Sequence, residues 1–211
     1  MPTVSAGSAT LTELDGGTRA LVRAAAVLAA GSEEETRAEL QRAAGITPHE
    51  WMEELLLQTY LFAGFPRALN GMRIWRRVAS KFASPAETPA RDLRADGERA
   101  CARVYGSMYE RLRQNIRDLH PLLDDWMITE GYGKVLSRPA LDLPRRELCI
   151  IAACAATGQD RQLQSHLHGA VNVGVADAVV TRAIDALTDV IPAALVDRAK
   201  RLWDRIRNDV H

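Results

Sequence analysis

Signals for several common chemistries are missing from this 211-residue chain. It has no glycine-rich phosphate loop and no G-x-S-x-G turn, so neither phosphate cradling nor a serine nucleophile elbow is indicated. There are three cysteines, Cys101, Cys149 and Cys154, and none of their pairs has C-x-x-C spacing. An odd, scattered set excludes a disulfide framework and a local dithiol motif. Cys149 and Cys154 lie in an apolar stretch, where cysteine behaves as a small hydrophobe. Charge of either sign is not in excess: 27 basic and 27 acidic residues give a formal charge of +0. No global field draws nucleic acid or an anionic membrane, and neither is expected as a partner. Long apolar runs are also missing. The stretch Leu21 to Ala30 is too short to span a bilayer and carries Arg23. Met1 to Thr10 has no basic start and no apolar core, so no signal peptide is read and a cytoplasmic protein is expected. His166-Leu167-His168 is an H-x-H pair without a further ligand motif, and His49, His120 and His211 are isolated. No metal site is expected.

What is present favours helix. Hydrophobic residues make up 47% and aromatics only 5%, and alanine, leucine and arginine lose little on entering a helix. No run of β-branched residues alternates with period two, so the fold class is all-α. Helices are expected over 12–30 and 32–44, the second capped by Ser32 with Glu33, Glu34 and Glu35 in its first turn. Thr47-Pro48-His49-Glu50 reads as a capping box. A further helix follows the turn at Gly64-Phe65-Pro66. Residues 81–98, with Ser84-Pro85 and Thr88-Pro89, read as an exposed linker. Beyond it come a long amphipathic helix over 98–117, a short helix over 124–130, a break at Gly131-Tyr132-Gly133, and an irregular segment to Pro144. The last helices are expected over 145–157 and 159–171, with two more to the C-terminus.

The chain also repeats itself. Arg19-Ala20-Leu21 through Gly31 matches Arg146-Glu147-Leu148 through Gly158 at a constant offset, and Leu40 and Ala43 match Leu167 and Ala170. Gly45 then pairs with Gly174, and Pro66-Arg67-Ala68-Leu69 with Pro192-Ala193-Ala194-Leu195. The order of each unit is apolar helix, glycine break, polar helix, glycine break, amphipathic helix, proline turn, final helix. The domain reading is a first unit over 11–80, a linker over 81–98, and a second unit over 99–211 with extra N-terminal helices.

Tyr132-Gly133-Lys134-Val135-Leu136-Ser137-Arg138-Pro139-Ala140-Leu141-Asp142, then Arg146-Glu147-Leu148, then His166-Leu167-His168-Gly169-Ala170 resemble the carboxymuconolactone decarboxylase family, which includes alkylhydroperoxidase D. Leu55 through Gly64-Phe65-Pro66-Arg67-Ala68-Leu69-Asn70 resembles a further copy. The resemblance implies a tandem duplicated helical bundle. Single-copy members form rings of six, so a fused pair is expected to be a homotrimer. The family's thiol peroxidases use E-x11-C-x2-C-x3-H. With Glu147 at the glutamate, Gln159 and Gln162 stand at both cysteines and His166 at the histidine. A glutamine amide neither attacks peroxide nor resolves a sulfenic acid, so this departure disfavours the alkylhydroperoxidase-like alternative. In the first unit the same positions hold Ala20, Ser32, Glu35 and Glu39, so neither the acid nor the histidine is kept.

The remaining family chemistry is a cofactor-free lyase reaction on a small carboxylated lactone or keto acid. Such a substrate carries its own electron sink, so neither metal nor organic cofactor is needed. His166 is the candidate acid/base and Glu147 the group that orients it. Arg138 is the candidate carboxylate clamp, since its planar fork suits a carboxylate, and Tyr132 a hydrogen-bond donor to substrate. His168, two residues from His166, points to a different side of its helix and is expected at the surface. Plainer roles compete. Glu147 could pair with Arg145 or Arg146, His166 could be a satisfied core histidine, and Arg138 could brace the irregular segment. A non-catalytic oligomeric binding protein is the third possibility.

Overall fold

A computed structural model describes residues 10–79 and 91–209. Among these residues the architecture is all-α, and the one pairing of extended backbone is a bridge between Leu11 and Val175. The first four helices are α1 (Gly16–Ala30), α2 (Glu33–Ala43), α3 (His49–Ala63) and α4 (Phe65–Val78). A middle section holds α5 (Leu93–Tyr105), a 3-10 turn (Gly106–Met108), α6 (Tyr109–Leu119), α7 (Pro121–Trp126) and a π-helical segment (Met127–Leu136). The last four are α8 (Leu143–Thr157), α9 (Asp160–Asn172), α10 (Asp177–Asp185) and α11 (Ala193–Asp209). No described helix is long and apolar enough to cross a membrane.

The core is built on α1 and α8, which pack against each other. Both are alanine-rich and apolar nearly all round, so both must be covered on several sides. Leu21, Val22 and Leu28 of α1, and Leu148, Ile150 and Ile151 of α8, are buried in one continuous cluster. The two helices start and end at the same offset of 127 residues. So do their caps: Asp15 accepts from Thr18 N and Asp142 from Arg145 N. Arg145 ties the two starts together, donating to Thr18 Oγ1 at 2.9 Å and Asp15 Oδ2 at 3.1 Å, and to Asp142. Its guanidinium also lies over the Trp51 ring, 4.3 Å from the centroid. This arrangement is consistent with a duplicated bundle.

The middle section departs most from the sequence expectation. Residues 81–90 of the expected linker lie outside the described residues, but from Leu93 the chain is already helical, with Asp92 capping Ala95 N. The long helix expected over 98–117 breaks at Gly106, whose φ of +52° few other residues adopt readily. Gly131-Tyr132-Gly133 is not a break: it lies inside the π-helical segment, which runs on to Leu136. The reason is contact with α5. A Cβ on Gly133 would fall 1.9 Å from the Leu93 carbonyl oxygen, and one on Gly97 would fall 2.1 Å from that of Ile128. These glycines let two helices meet backbone to backbone.

Two capping expectations resolve differently. Ser32 caps α2 in a full capping box with Glu35. Thr47 does not cap α3. That helix starts at His49 without a side-chain cap, and Thr47 Oγ1 instead donates to Gly17 O at 3.4 Å.

All three cysteines are buried and free. Burial pushes each thiol up to about 12, so the thiolate is scarce at neutral pH. A thiol-reactive dye is therefore expected to label native protein very slowly and to label three thiols per chain at once in denaturant. Fast labelling of any thiol in the native state would contradict this burial.

Candidate acid–base site

Successive residues on a helix point about 100° apart, so Arg146 and Glu147 leave α8 in different directions. Glu147, fully buried, turns toward α9 and meets His166, its carboxylate oxygen Oε2 lying 2.8 Å from Nδ1. His166 is 5% exposed. Gly169, one turn on from His166, makes the approach possible, because a Cβ there would sit 2.6 Å from Glu147 Oε2. Three aromatic rings surround the pair. Phe62 of α3 stands edge-on to His166 at 5.8 Å, and Tyr105 of α5 at 6.4 Å. Tyr105 is also edge-on to Tyr132 of the π-helical segment at 6.3 Å.

Burial, with the Glu147 charge adding to it, raises the pKa of both tyrosines. They stay protonated and act as donors. The second carboxylate oxygen of Glu147, Oε1, is buried without a hydrogen-bond partner. Leaving a buried carboxylate oxygen without a partner is costly.

Arg146 turns the other way and is wholly buried. It donates to Glu54 Oε2 at 2.7 Å, Gln58 Oε1 at 3.2 Å, Leu141 O at 3.0 Å and Arg138 O at 3.2 Å. Gln58 returns a bond to Arg146 O at 3.2 Å. Arg138 joins this group, its Nε donating to both Glu54 oxygens at 2.9 and 3.0 Å.

The candidate residues thus fall into two groups. Glu147, His166 and Tyr132 converge on one buried cluster, and neither Arg145 nor Arg146 takes the Glu147 carboxylate. Arg138 is committed to Glu54 in the other. His168 is exposed, as are Gln159 and Gln162. Sequence reasoning missed Tyr105, Phe62, Glu54 and Gln58. A signal existed for the last two: a glutamate and a glutamine one turn apart, set among leucines, mark a polar pair on a buried face. In the first unit Glu39, at the position matching His166, pairs with Arg23 at 2.7 Å. Among the described residues no group of three or more His, Cys, Asp or Glu side chains could hold a metal ion.

Fold and site together describe an all-helical protein with a buried carboxylate–imidazole pair framed by phenols and without a reactive thiol. The model of the carboxymuconolactone decarboxylase family matches residues 123–204, which include Tyr132, Arg138, Glu147 and His166. That match supports the family assignment for this part of the chain. The chain is also 29% identical over 138 residues to "Peroxisomal protein 2" of Schizosaccharomyces pombe, covering 63% of this chain and 64% of that protein. It therefore spans somewhat less than two thirds of that relative's length.

Proposed function

We propose that Glu147 and His166 form the acid–base centre of a cofactor-free lyase acting on a small carboxylated lactone or keto acid. The observation that carries this reading is the buried Glu147–His166 contact of 2.8 Å, next to a carboxylate oxygen with no partner. The family match supports it, and the missing C-x-x-C argues against thiol redox chemistry.

Glu147 fixes the ring by accepting from Nδ1–H, which leaves Nε2 to exchange a proton with substrate. In the reaction the bond between carbon and the leaving carboxylate breaks, and its electron pair moves into the conjugated carbonyl of the substrate. Carbon dioxide departs. The resulting enolate is held by phenol hydroxyls, and the imidazolium returns a proton to carbon. One proton is consumed and nothing is oxidised.

The test is carbon dioxide release from γ-carboxymuconolactone by the whole protein. His166→Ala is expected to lower turnover by roughly 100-fold or more, and Glu147→Gln by a smaller factor. Wild-type turnover that survives His166→Ala would remove His166 from the chemistry. Absence of wild-type turnover would reject this substrate.

A further inference from the structure

A cavity of about 700 Å³ opens between α5 and the chain that leads from the π-helical segment into α8. Neither Glu147 nor His166 lines it, nor do Phe62, Tyr105 and Tyr132 around them. Its charged lining is four arginines and two aspartates, with no lysine, glutamate or histidine. Arg99 and Arg103 stand one turn apart on α5, while Arg138 and Arg145 come from the other wall.

The carboxylates nearby do not cancel these cations. Asp96 is shared between Arg99 and Arg91, whose Nε donates to it at 2.8 Å. Glu54 is shared between Arg138 and Arg146. Asp142 and Asp15 both meet Arg145, so the positive excess lies with Arg99 and Arg138. Arg138 is anchored in a particular way. Glu54 takes its Nε, and among the described residues Nη1 and Nη2 make no hydrogen bond. A half-buried guanidinium held by Nε keeps its two terminal nitrogens as donors. Arg91 also donates to Ser137 O at 3.2 Å and Ser137 Oγ at 2.6 Å, which fixes the wall just before Arg138. The buried Leu136, Leu141 and Leu143 supply apolar lining beside these charges.

Arginine forks suit carboxylates and phosphates alike. Arginines on two walls favour the tetrahedral group, whose terminal oxygens point several ways, over a planar carboxylate that presents one edge. A phosphate monoester also brings a charge of about −1.5 to −2 at neutral pH to meet the excess. We propose that this cavity is a second site, separate from the Glu147–His166 centre, and that it binds an organic phosphate. Arg99, Arg103 and Arg138 hold the phosphate group, and the leucines receive the apolar body. The proposal stands whether or not Glu147 and His166 catalyse a lyase reaction.

The test is calorimetric titration of the full-length protein with 1-naphthyl phosphate, with 1-naphthoate and 1-naphthol as matched carboxylate and uncharged probes. The phosphate is expected to bind saturably at one site per chain, more tightly than the carboxylate, and to weaken as salt rises. Arg99→Ala combined with Arg103→Ala, both exposed on α5, is expected to weaken binding roughly tenfold or more, the loss of charge-assisted hydrogen bonds. Arg138→Lys keeps a charge beside Glu54 but removes the fork, and a smaller loss is expected. His166→Ala is expected to bind as wild type does. The proposal is overturned if no saturable binding occurs, if 1-naphthol binds as tightly, or if the double variant and Arg138→Lys both keep wild-type affinity. Equal affinity for 1-naphthoate overturns the choice of phosphate. Loss of binding in His166→Ala overturns the separateness of the site, whereas loss of turnover alone in that variant bears only on the acid–base reading.

Discussion

Replacing Glu54 with alanine should destabilise the protein by about 3–5 kcal/mol, the usual consequence of leaving a buried charge without its partner. Arg146 has no route to water, and burial already pulls its guanidinium below the ordinary arginine range, opposed chiefly by Glu54. The same carboxylate holds Arg138 at the entry to α8. Losing it frees two arginines at once, and thermal unfolding should move down on the order of 10 °C. Glu54→Ala with Arg146→Met supplies the control. Removing both charges should recover much of the loss, because an apolar pair of similar volume needs no desolvation. A midpoint in Glu54→Ala unchanged within a degree or two would mean that water reaches Arg146.

Gly133→Ala should be at least as damaging. The added methyl would sit 1.9 Å from the Leu93 carbonyl oxygen, and the obstacle is backbone, so no side chain can swing away. The π-helical segment must lift from α5 or unwind. Overpacking usually costs about 1–3 kcal/mol, and a clash with main chain belongs at or above the upper end. Tyr132 neighbours this glycine, so the tyrosine pair should move as well. Circular dichroism melting and near-ultraviolet tyrosine signals read both effects. Gly131→Ala is the matched comparison, since a Cβ there meets nothing within 4 Å. If the two alanine variants melt together, the close packing of α5 on this segment is wrong.

Much of the outer frame was legible from residues. Apolar stretches punctuated by Gly31, Gly45, Pro66, Gly158, Gly174 and Pro192 marked the breaks between helices, because glycine and proline change backbone freedom wherever they stand. Glu147 and His166 were legible as a pair through the family pattern that their spacing resembles. Their neighbours were not. Tyr105 reaches the cluster from a helix whose start was read as linker, and Phe62 from the first half of the chain. Contacts between residues dozens of positions apart leave no periodic trace. The partner of Arg138 was hidden for a related reason. Its chemistry suits a carboxylate, but the carboxylate it holds belongs to Glu54, 84 residues earlier. The π-helical segment was missed because glycines usually interrupt helices, and here they permit one to be pressed against another.

The Arg23–Glu39 pair of the first unit has a consequence for stoichiometry. At the place where the second unit sets an imidazole against a carboxylate, the first sets a carboxylate against a guanidinium that also grips Asp189. That grip raises the guanidinium's already high affinity for its proton. That guanidinium keeps its proton throughout the neutral range. On the proposed reading the chain carries one acid–base centre, at Glu147 and His166, so any assembly of such chains would hold as many centres as subunits.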